Sequence, residues 1–335
     1  VNPPNPSLRW EKINITNIGA DFATKHNTVS GSIEYYLRRG IDLIGYSPLD
    51  PTTGIPSFKG NTADMKGRGL DVIINTKNND KAPVHWYTAF LFSYTTDEVT
   101  SYKVKQSSIG SYYNQTMFNP LPGKPLYSVY MLKWAGLDPQ TGYPQGMLDG
   151  HVSQDYASIL NSGDFNNLIY KGTANPRFFG SFRNTVAWKQ LELSFMLTWK
   201  MGYYFRRSSI SYSELYNGNS KGHLDFERRW QKPGDEKTTD IPSMVYPVDP
   251  LRDAFYNYSS VLVERGDHIR LQDIRLGYEL KKERQKNLPV RSMQFYLYVN
   301  NIGLLWRANN KGIDPDYFNS IPNPRSLSAG VKVDF

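Results

Sequence analysis

The chain of 335 residues has a formal net charge of +8, no cysteine and an aromatic content of 14%. Without cysteine, disulfides, thiolate catalysis and cysteine-ligated zinc are excluded. The cations are dispersed and accompany no glycine-rich phosphate loop, zinc-ligand spacing or compact basic helix, so no nucleic-acid partner is predicted. No run is apolar over the ~18 residues of a membrane helix. A mean hydropathy of -0.55 still fits a membrane barrel, in which only alternate residues face lipid.

Alternation of apolar and polar residues with a period of two predicts eleven strands along the chain. Changes of parity predict one β-bulge near Thr16, in the first strand, and another near Gln272, in the ninth. The predicted strands are residues 8–23, 29–43, 70–74, 84–94, 111–118, 126–134, 177–188, 190–205, 261–280, 292–300 and 326–335.

The strand predicted at 190–205 is the longest and the most regular. Its odd positions from Leu191 to Phe205 are apolar or aromatic, and most of its even positions are polar. At roughly 3.3 Å per residue it would extend about 50 Å, far beyond an ordinary globular strand. This length favours a tilted crossing of a bilayer. A long strand in a large soluble β-sandwich is the alternative for this segment.

The predicted connections alternate between short and long along the chain. This alternation is typical of outer-membrane barrels, which have tight periplasmic turns and large outer loops. The two longest, 135–176 and 206–260, are predicted to be irregular apart from a short helix at 225–230. If the last strand runs towards the periplasm, an odd number of strands makes the first run the same way. We expect residues 1–335 to be the C-terminal part of a longer protein, because open strand edges cannot lie in lipid.

Several stretches of the chain resemble SusC/RagA-type TonB-dependent outer-membrane transporters of Bacteroidetes. They include NPSLRWEK, GTANPRFFGSFRN, VERGDHIRLQDIRLGYEL, YVNNIGLLWRANNKGIDPDY and the terminal GVKVDF. The resemblance implies an all-β fold: an antiparallel transmembrane barrel of 22 strands, of which this chain would be the C-terminal half. It also implies location in the outer membrane, with the signal, the plug and the first strands outside this chain.

The function implied by the resemblance is uptake of oligosaccharides or peptides without a cofactor. The implied partners are a SusD-like surface lipoprotein, the TonB-ExbB-ExbD complex acting through the missing N-terminal half, the barrel-assembly machinery and the lipid bilayer. By the same resemblance, Phe335 would be part of the assembly signal. The segments 135–176 and 206–260 would contact the lid and the substrate.

Two groups of residues are candidates for contact with a solute. The polar rows of two strands are predicted to line a wet lumen, although a filled barrel interior would have the same pattern. They are Glu192, Ser194, Thr198, Lys200, Tyr296, Tyr298 and Asn300. A ligand-binding group is predicted just beyond a strand end, where an interface aromatic followed by a turn is the alternative. It comprises Trp306, Arg307, Asn309 and Asn310.

Enzymatic readings have weaker support in the sequence. Asp314 with Asp316, or Asp235 with Glu236, would suit glycosidase acids or calcium ligands, but acids beside Pro and Gly usually form turns. The five histidines have no metal-ligand spacing, and no serine lies in a nucleophile elbow. The sequence therefore predicts a transporter that is not an enzyme and holds no metal. A surface glycan-binding or adhesin protein is the alternative.

Overall fold

A computed structural model describes residues 4–48, 52, 57–78, 83–104, 108–114, 120–218, 222–283 and 289–335. Strands dominate it, and none of its described helices has the length and apolarity to cross a membrane. The elements in chain order are β1 (Lys12–Ala23), β2 (Val29–Pro48), β3 (Ser57–Asn78), β4 (Val84–Tyr102), α1 (Gly110–Tyr113), β5 (Ser128–Leu132), β6 (Trp134–Leu137), β7 (Pro144–Leu148), β8 (His151–Ser153), α2 (Tyr156–Leu160), β9 (Leu168–Thr173), β10 (Phe178–Trp188), β11 (Leu191–Met201), β12 (Tyr204–Arg206), α3 (Tyr212–Tyr216), α4 (Pro250–Tyr258), β13 (Val263–Arg265), β14 (His268–Lys281), β15 (Ser292–Arg307) and β16 (Ser326–Asp334).

Nine strands form one antiparallel sheet, which we call the wall, in the order β1-β2-β3-β4-β10-β11-β14-β15-β16. Each strand pairs with its predecessor in the wall, as expected for an up-and-down barrel. Within the described residues, β1 and β16 are the two edges. The all-β antiparallel prediction is confirmed.

The connections at the two ends of the wall differ in length. At the short-connection end they span residues 24–28, 79–83, 189–190 and 282–291, and at the long-connection end they span 49–56, 103–177, 202–267 and 308–325. The predicted alternation is therefore confirmed except at 49–56, which is short because β2 and β3 extend further than predicted, to Pro48 and from Ser57. Because nine is odd, like eleven, β1 and β16 run in the same direction, towards the short-connection end.

The two faces of the wall differ in polarity. Register places Trp86, Val186, Leu193, Leu276, Leu297 and Ala329 side by side on one face, which we call the outer face. Leu193 is 42% exposed and Leu297 48%, so these large apolar side chains lack protein cover. The next row belongs to the opposite, inner face and contains Tyr87, Thr185, Ser194, Arg275, Tyr298 and Ser328. This polarity fits lipid outside and water inside.

The long connections 103–177 and 202–267 fold together into a body that we call the cap. Helix α4 contributes Phe255 to one buried apolar cluster, with Ile159 and Leu132, and Tyr256 to a second, with Ile210. Residues 135–176 were predicted to be irregular, and this is wrong. Strands β6, β7 and β8 pair within them, and α2 packs its buried Ile159 and Leu160 into the first cluster. The helix predicted at 225–230 is present as a short 3-10 helix at Leu224–Arg228.

Two of the eleven predicted strands do not belong to the wall. At 111–118 the structure has helix α1, with Tyr112 and Tyr113 buried, and residues 115–119 lie outside the described part. The strand predicted at 126–134 exists as β5, but it pairs with β9 in the cap. Tyr112, Tyr113, Val129 and Leu132 of these segments are buried in the cap and not arranged for lipid, so the described residues give the wall nine strands.

The long strand predicted at 190–205 ends at Met201. Gly202 has a φ of +78°, in the left-handed region that a glycine adopts without strain, and its N–H donates to Asp267 Oδ1 at 2.7 Å. Beyond this turn β12 pairs with β13, where Phe205 is buried. Residues 266–267, which face this turn, divide the strand predicted at 261–280 into β13 and β14. The apolar parity of 203–205 therefore serves the cap and not the outer face.

One predicted bulge is confirmed and the other is wrong. The register of β14 against both neighbours shifts between Leu271 and Asp273, which places a bulge at Gln272. Strand β1 pairs with β2 without any shift from Lys12 to Ala23. Ile13 and Ile15 therefore lie on the inner face of the wall, and each is 59% exposed.

Candidate functional site

The polar residues predicted to line a lumen share the inner face of the wall. Register pairs Glu192 through Gly277 with Tyr296, and Ser194 through Arg275 with Tyr298. The same parity holds on β11 for Thr198 and Lys200, and on β15 for Asn300. The structure thus brings the seven residues onto one surface. Their contact with a solute stays a prediction.

Charged residues that the sequence analysis did not single out complete this surface. Arg183 donates to both carboxylate oxygens of Asp273, at 3.2 and 3.0 Å, and Arg275 Nη1 lies 3.0 Å from Glu192 Oε1. Asp273 is buried, so its charge depends on this bidentate partner. The period of two on β10 and β14 could have identified Arg183, Asp273 and Arg275, because each follows or precedes an outward apolar residue, Phe182 or Ile274.

Tyr296 lies flat against the inner face. A Cβ at Gly330, its neighbour on β16, would lie 2.4 Å from the Tyr296 hydroxyl oxygen, so only glycine leaves room for this ring. The guanidinium carbon of Arg275 lies 5.6 Å from the centroid of the Tyr296 ring, and the same guanidinium group donates to Glu192. These contacts fix the tyrosine as part of a smooth polar surface.

At the long-connection end, the loop 308–325 is fixed to the inner face by a group that we call the ion cluster: Lys200, His268, Arg270, Asp314 and Asp316. Arg270 Nη2 lies 2.7 Å from both oxygens of Asp314, and Lys200 Nζ lies 2.7 Å from Asp316 Oδ1. His268 Nε2 is 3.2 Å from Asp316 Oδ2. Because Arg270 is buried, the carboxylates neutralise a guanidinium charge that water does not reach, and Asp316 also gives the buried His268 a hydrogen-bond partner.

The ion cluster accounts for the paired acids of the DPDY segment. Burial would raise the pKa of Asp316, but hydrogen bonds from His268 and Lys200, and their charges, outweigh burial and hold the pKa below its usual value. Asp316 is therefore ionised at neutral pH and engaged with the Lys200 and Arg270 cations and with the His268 ring. No group of three or more His, Asp or Glu suited to a metal ion occurs in the described ranges. The arrangement suits a fastener for the loop.

The four predicted ligand-binding residues do not share one surface. Trp306 pairs with Ile269 on the outer face and is 46% exposed, whereas Arg307 pairs with His268 on the inner face. Asn309 is buried and closes a turn, since its side chain bonds the backbone N–H and C=O of Ile313. Asn310 is exposed. Ligand binding by these residues stays a prediction. The positions of Arg307 and Asn310 favour it more than those of Trp306 and Asn309.

The chain ends on the outer face of the wall. Leu327 and Val331 of β16 face outwards in register with Val299 and Phe295, and Phe335 follows with 96% of its surface exposed. A role for Phe335 in assembly stays a prediction. Trp86 and Trp188 at the short-connection end, and Trp306 at the other, are exposed as interfacial aromatics are in membrane barrels.

A wall with an apolar outer face, a charged inner face and connections sorted between its ends defines a segment of an outer-membrane β-barrel. Comparison with known proteins shows which outer-membrane barrels the chain resembles. The chain is 24% identical over 385 residues to TonB-dependent receptor P26 of Formosa agariphila, covering 99% of this chain and 35% of the relative. It is 21% identical over 356 residues to TonB-dependent receptor SusC of Bacteroides thetaiotaomicron, covering 99% of this chain and 32% of SusC.

A solved structure of the RagAB peptide transporter has the same fold, with a TM-score of 0.75 at 21% identity, over 99% of this chain and 36% of the transporter chain. No family model matches the chain. The resemblance to SusC/RagA-type TonB-dependent receptors is thus confirmed as a similarity over nearly the whole of this chain. It spans about a third of the length of these relatives. The two relatives are receptors, and the solved structure is that of a transporter.

Proposed function

We propose that this chain supplies part of the barrel wall and part of the extracellular cap of a TonB-dependent importer of oligosaccharides or peptides. The observation that carries the proposal is a wall with an apolar outer face and a polar inner face, whose two longest connections leave from the same end and fold together into a cap. An adhesive surface protein has no need of a charged inner face beneath its exposed domain. Strands outside this chain would pair with β1 and β16 to close the barrel.

In this proposal the inner face is the route of the solute. Glu192, Arg275 and Lys200 present alternating charges, and Tyr298 adds a hydroxyl group that donates or accepts hydrogen bonds. Such a surface binds polar solutes weakly at many points, which suits passage more than storage. Coupling to TonB-ExbB-ExbD would act through the part of the protein outside this chain.

The cap offers a surface for a SusD-like lipoprotein and for substrate. Leu224 is 82% exposed and Tyr246 78%, and the ring of Tyr246 lies 5.3 Å from that of Tyr216. All three lie in the segment 206–260, and exposed aromatic clusters of this kind are typical of interfaces and sugar-stacking sites. The segment 135–176 adds the exposed Val152 and Phe165.

The test is uptake in cells of the source organism that lack the gene for the whole protein. We expect loss of uptake of labelled oligosaccharides or of labelled peptides, restoration by the intact gene, and no restoration when TonB is absent. Uptake of the two labelled classes, measured in parallel, identifies the substrate. Uptake of both at the parental rate in the deletion strain would contradict the proposal.

The partner is tested with a variant of the cap surface. Leu224→Asp with Tyr246→Asp should lower co-purification of the SusD-like lipoprotein at least tenfold, because two charges replace apolar contacts. The control is Lys59→Asp, which changes an exposed residue of the wall. Unchanged co-purification of the double variant would remove this surface from the proposal.

A further inference from the structure

The outer face of the wall changes character near the long-connection end of β2 and β3. The outermost uniformly apolar and aromatic row there contains Ile18, Tyr35, Leu70, Tyr94 and Phe178. The next row outward has Arg68 beside Leu37, and the one after it has Arg39 beside Lys66. Three cations thus replace apolar residues on two adjacent strands. We call Arg39, Lys66 and Arg68 the basic patch.

These side chains belong to the outer face because the register is continuous. No shift interrupts the pairing of β2 with β3 between Val29 and Gly40, or of β3 with β4 from Met65 to Asn78. Arg39 therefore has the parity of Ile33, and Arg68 has the parity of Ile74, which pairs with Phe90 on the apolar face. All three members of the patch are exposed.

The height of the patch matches the headgroup level of a bilayer. From Val29, at the short-connection end, to Arg39 is roughly ten residues, or about 33 Å along the strand. With a tilt of about 40°, the rise is roughly 25 Å, which is the height of the lipid-facing band of such barrels. Because long connections lie on the outer side, the patch lies level with the headgroups of the outer leaflet.

Charge at the patch is unbalanced. Lys66 pairs with Glu98 at 3.1 Å, but Arg39 and Arg68 have no carboxylate partner among the residues that the structure describes. Asp97, between Thr96 and Glu98 on β4, has the opposite parity and accepts the backbone N–H of Leu126 at 2.7 Å, so its charge belongs to the inner face.

The basic patch is local and does not belong to a ring of charge around the wall. On β10, β11, β14 and β15 the outer face ends instead on apolar side chains: Phe178, Met201, Ile269 and Trp306. General attraction to a polar interface would place cations on those strands as well. Two unpaired guanidinium groups beside an ammonium group are the donors that phosphate prefers.

We propose that the basic patch binds the phosphate of a phosphorylated glycolipid of the outer leaflet, whose acyl chains lie against the apolar rows below. Arg39 and Arg68 donate to the phosphate oxygens, and Lys66 shares its charge between Glu98 and the lipid. Leu37, 48% exposed between the two arginines, lies where the first methylenes of an acyl chain pass.

The experiment measures lipid retained by the whole protein extracted from outer membranes in mild detergent. The triple variant Arg39→Gln, Lys66→Gln, Arg68→Gln should retain at least fivefold less phosphorylated glycolipid per protein, by mass spectrometry of the extracted lipid. The control variant Lys281→Gln, Lys282→Gln, Arg291→Gln removes the same charge at the short-connection end and should retain the parental amount. Arg39→Lys with Arg68→Lys, which keeps the charge, should retain at least half.

The source of the anion is tested by adding lipid back to delipidated protein. An acylated glucosamine disaccharide with one phosphate should bind, and its dephosphorylated form should bind at least fivefold less. Displacement of the lipid by a few millimolar inorganic phosphate would overturn the proposal in favour of a free-anion site. Equal retention of lipid by the parent and the triple variant would overturn the proposal too. A change of oligomeric mass with unchanged lipid would also overturn it and would assign the patch to a protein interface.

If the triple variant fails to assemble, Arg68→Gln alone is measured. A twofold or larger loss of retained lipid is expected, and no loss would contradict the proposal.

Discussion

The wall and the cap bury apolar residues in opposite ways. Leu193 and Leu297 of the wall are more than two-fifths exposed, whereas Phe255 and Leu132 of the cap are wholly buried. The wall consists of one layer of sheet, so its outer face has no protein to pack against and needs lipid. The cap packs helices and small sheets around apolar clusters, as a water-soluble domain does. One chain thus contains two folding solutions, each suited to the solvent around it.

The ion cluster lies at the junction between the wall and the cap. It fixes the loop 308–325 to the inner face beside the turn at Gly202, where β11 leaves the wall for the cap. The cluster therefore lies at the boundary between the wall, which needs lipid against its outer face, and the cap, which has its own apolar core.

The largest expected effect separates the cap from the wall. Phe255→Ala removes a ring that stacks on Tyr156 at 5.6 Å and lies 6.3 Å from Trp134. A buried Phe→Ala change costs about 3 to 5 kcal/mol, so amide hydrogen exchange in the cap should accelerate at least ~100-fold. Exchange in the wall should not change. The control is Leu251→Ala on the same helix, where the side chain is 44% exposed. Equal acceleration in cap and wall would show that they unfold as one unit.

The second test uses the wall alone. Leu197→Arg places a charge near the middle of the outer face and should cost about 2 to 4 kcal/mol, with impaired assembly. Ser328→Arg places the same side chain on the inner face, in register with Tyr298, and should cost less than about 1 kcal/mol. Urea titration of the folded barrel in detergent or lipid measures both. Similar costs at the two positions would contradict the assignment of the faces.

A smaller effect is expected at the junction. Asp314→Asn with Asp316→Asn leaves the buried Arg270 and His268 without carboxylates, which should destabilise the closed loop by about 2 kcal/mol. Amide exchange within 308–325 should accelerate ~30-fold, and Asn319→Ala in the same loop should have little effect. Acceleration confined to the control would refute the fastening role.

The pH dependence of this loop follows from the lowered pKa of Asp316. Its contribution to stability is fully present above the pKa of an unfolded aspartate, about 4, and is lost as pH falls through the lower folded value. Loop exchange, corrected for intrinsic rates, should therefore be independent of Asp316 ionisation from about pH 8 to 5 and rise only in stronger acid. A rise already at pH 6 in the parent that Asp316→Asn lacks would contradict this sign.

The smallest expected effect concerns the lumen surface. Glu192 and Arg275 form a pair at 3.0 Å in which both side chains are about a third exposed, so Glu192→Gln should cost less than about 1 kcal/mol. Urea titration should hardly change, whereas uptake of a charged substrate should. A cost close to that of Leu197→Arg would show that this face is dry.

The difference between the two regions also explains what the sequence could predict. In the wall, every residue faces either lipid or lumen, so a period of two reveals the two faces and the bulge at Gln272. Strand β1 is the exception, because the inward Ile13 and Ile15 break the pattern and led to the wrong bulge near Thr16. In the cap, burial depends on tertiary contacts such as that of Phe255 with Ile159, and short elements leave no periodic pattern. The apolar residues 203 and 205 have the same parity as those of β11, so the sequence predicted a single strand where the turn at Gly202 separates β11 from β12.

The candidate site shows the same limit. The lumen row Glu192 to Lys200 was predictable because alternation alone places it. The partners of Asp314 and Asp316 were not, since Arg270 is 44 positions away from Asp314 and the contact requires the loop to fold back over the wall. The turn closed by Asn309 was not predictable either, because its hydrogen bonds with Ile313 form only in the folded loop.

The most direct measurement is a collision-accessibility scan of β11 by electron paramagnetic resonance. Single spin-labelled cysteines are placed at positions 191, 193 and 197 and at 192, 198 and 200 of the whole protein in outer-membrane lipid, after removal of any cysteine outside this chain, which itself has none. Labels at the first three positions should collide with oxygen, which dissolves in lipid, and labels at the other three with a water-soluble nickel complex. Equal accessibility at all six, or the reverse assignment, would contradict an outer face in lipid and an inner face in water.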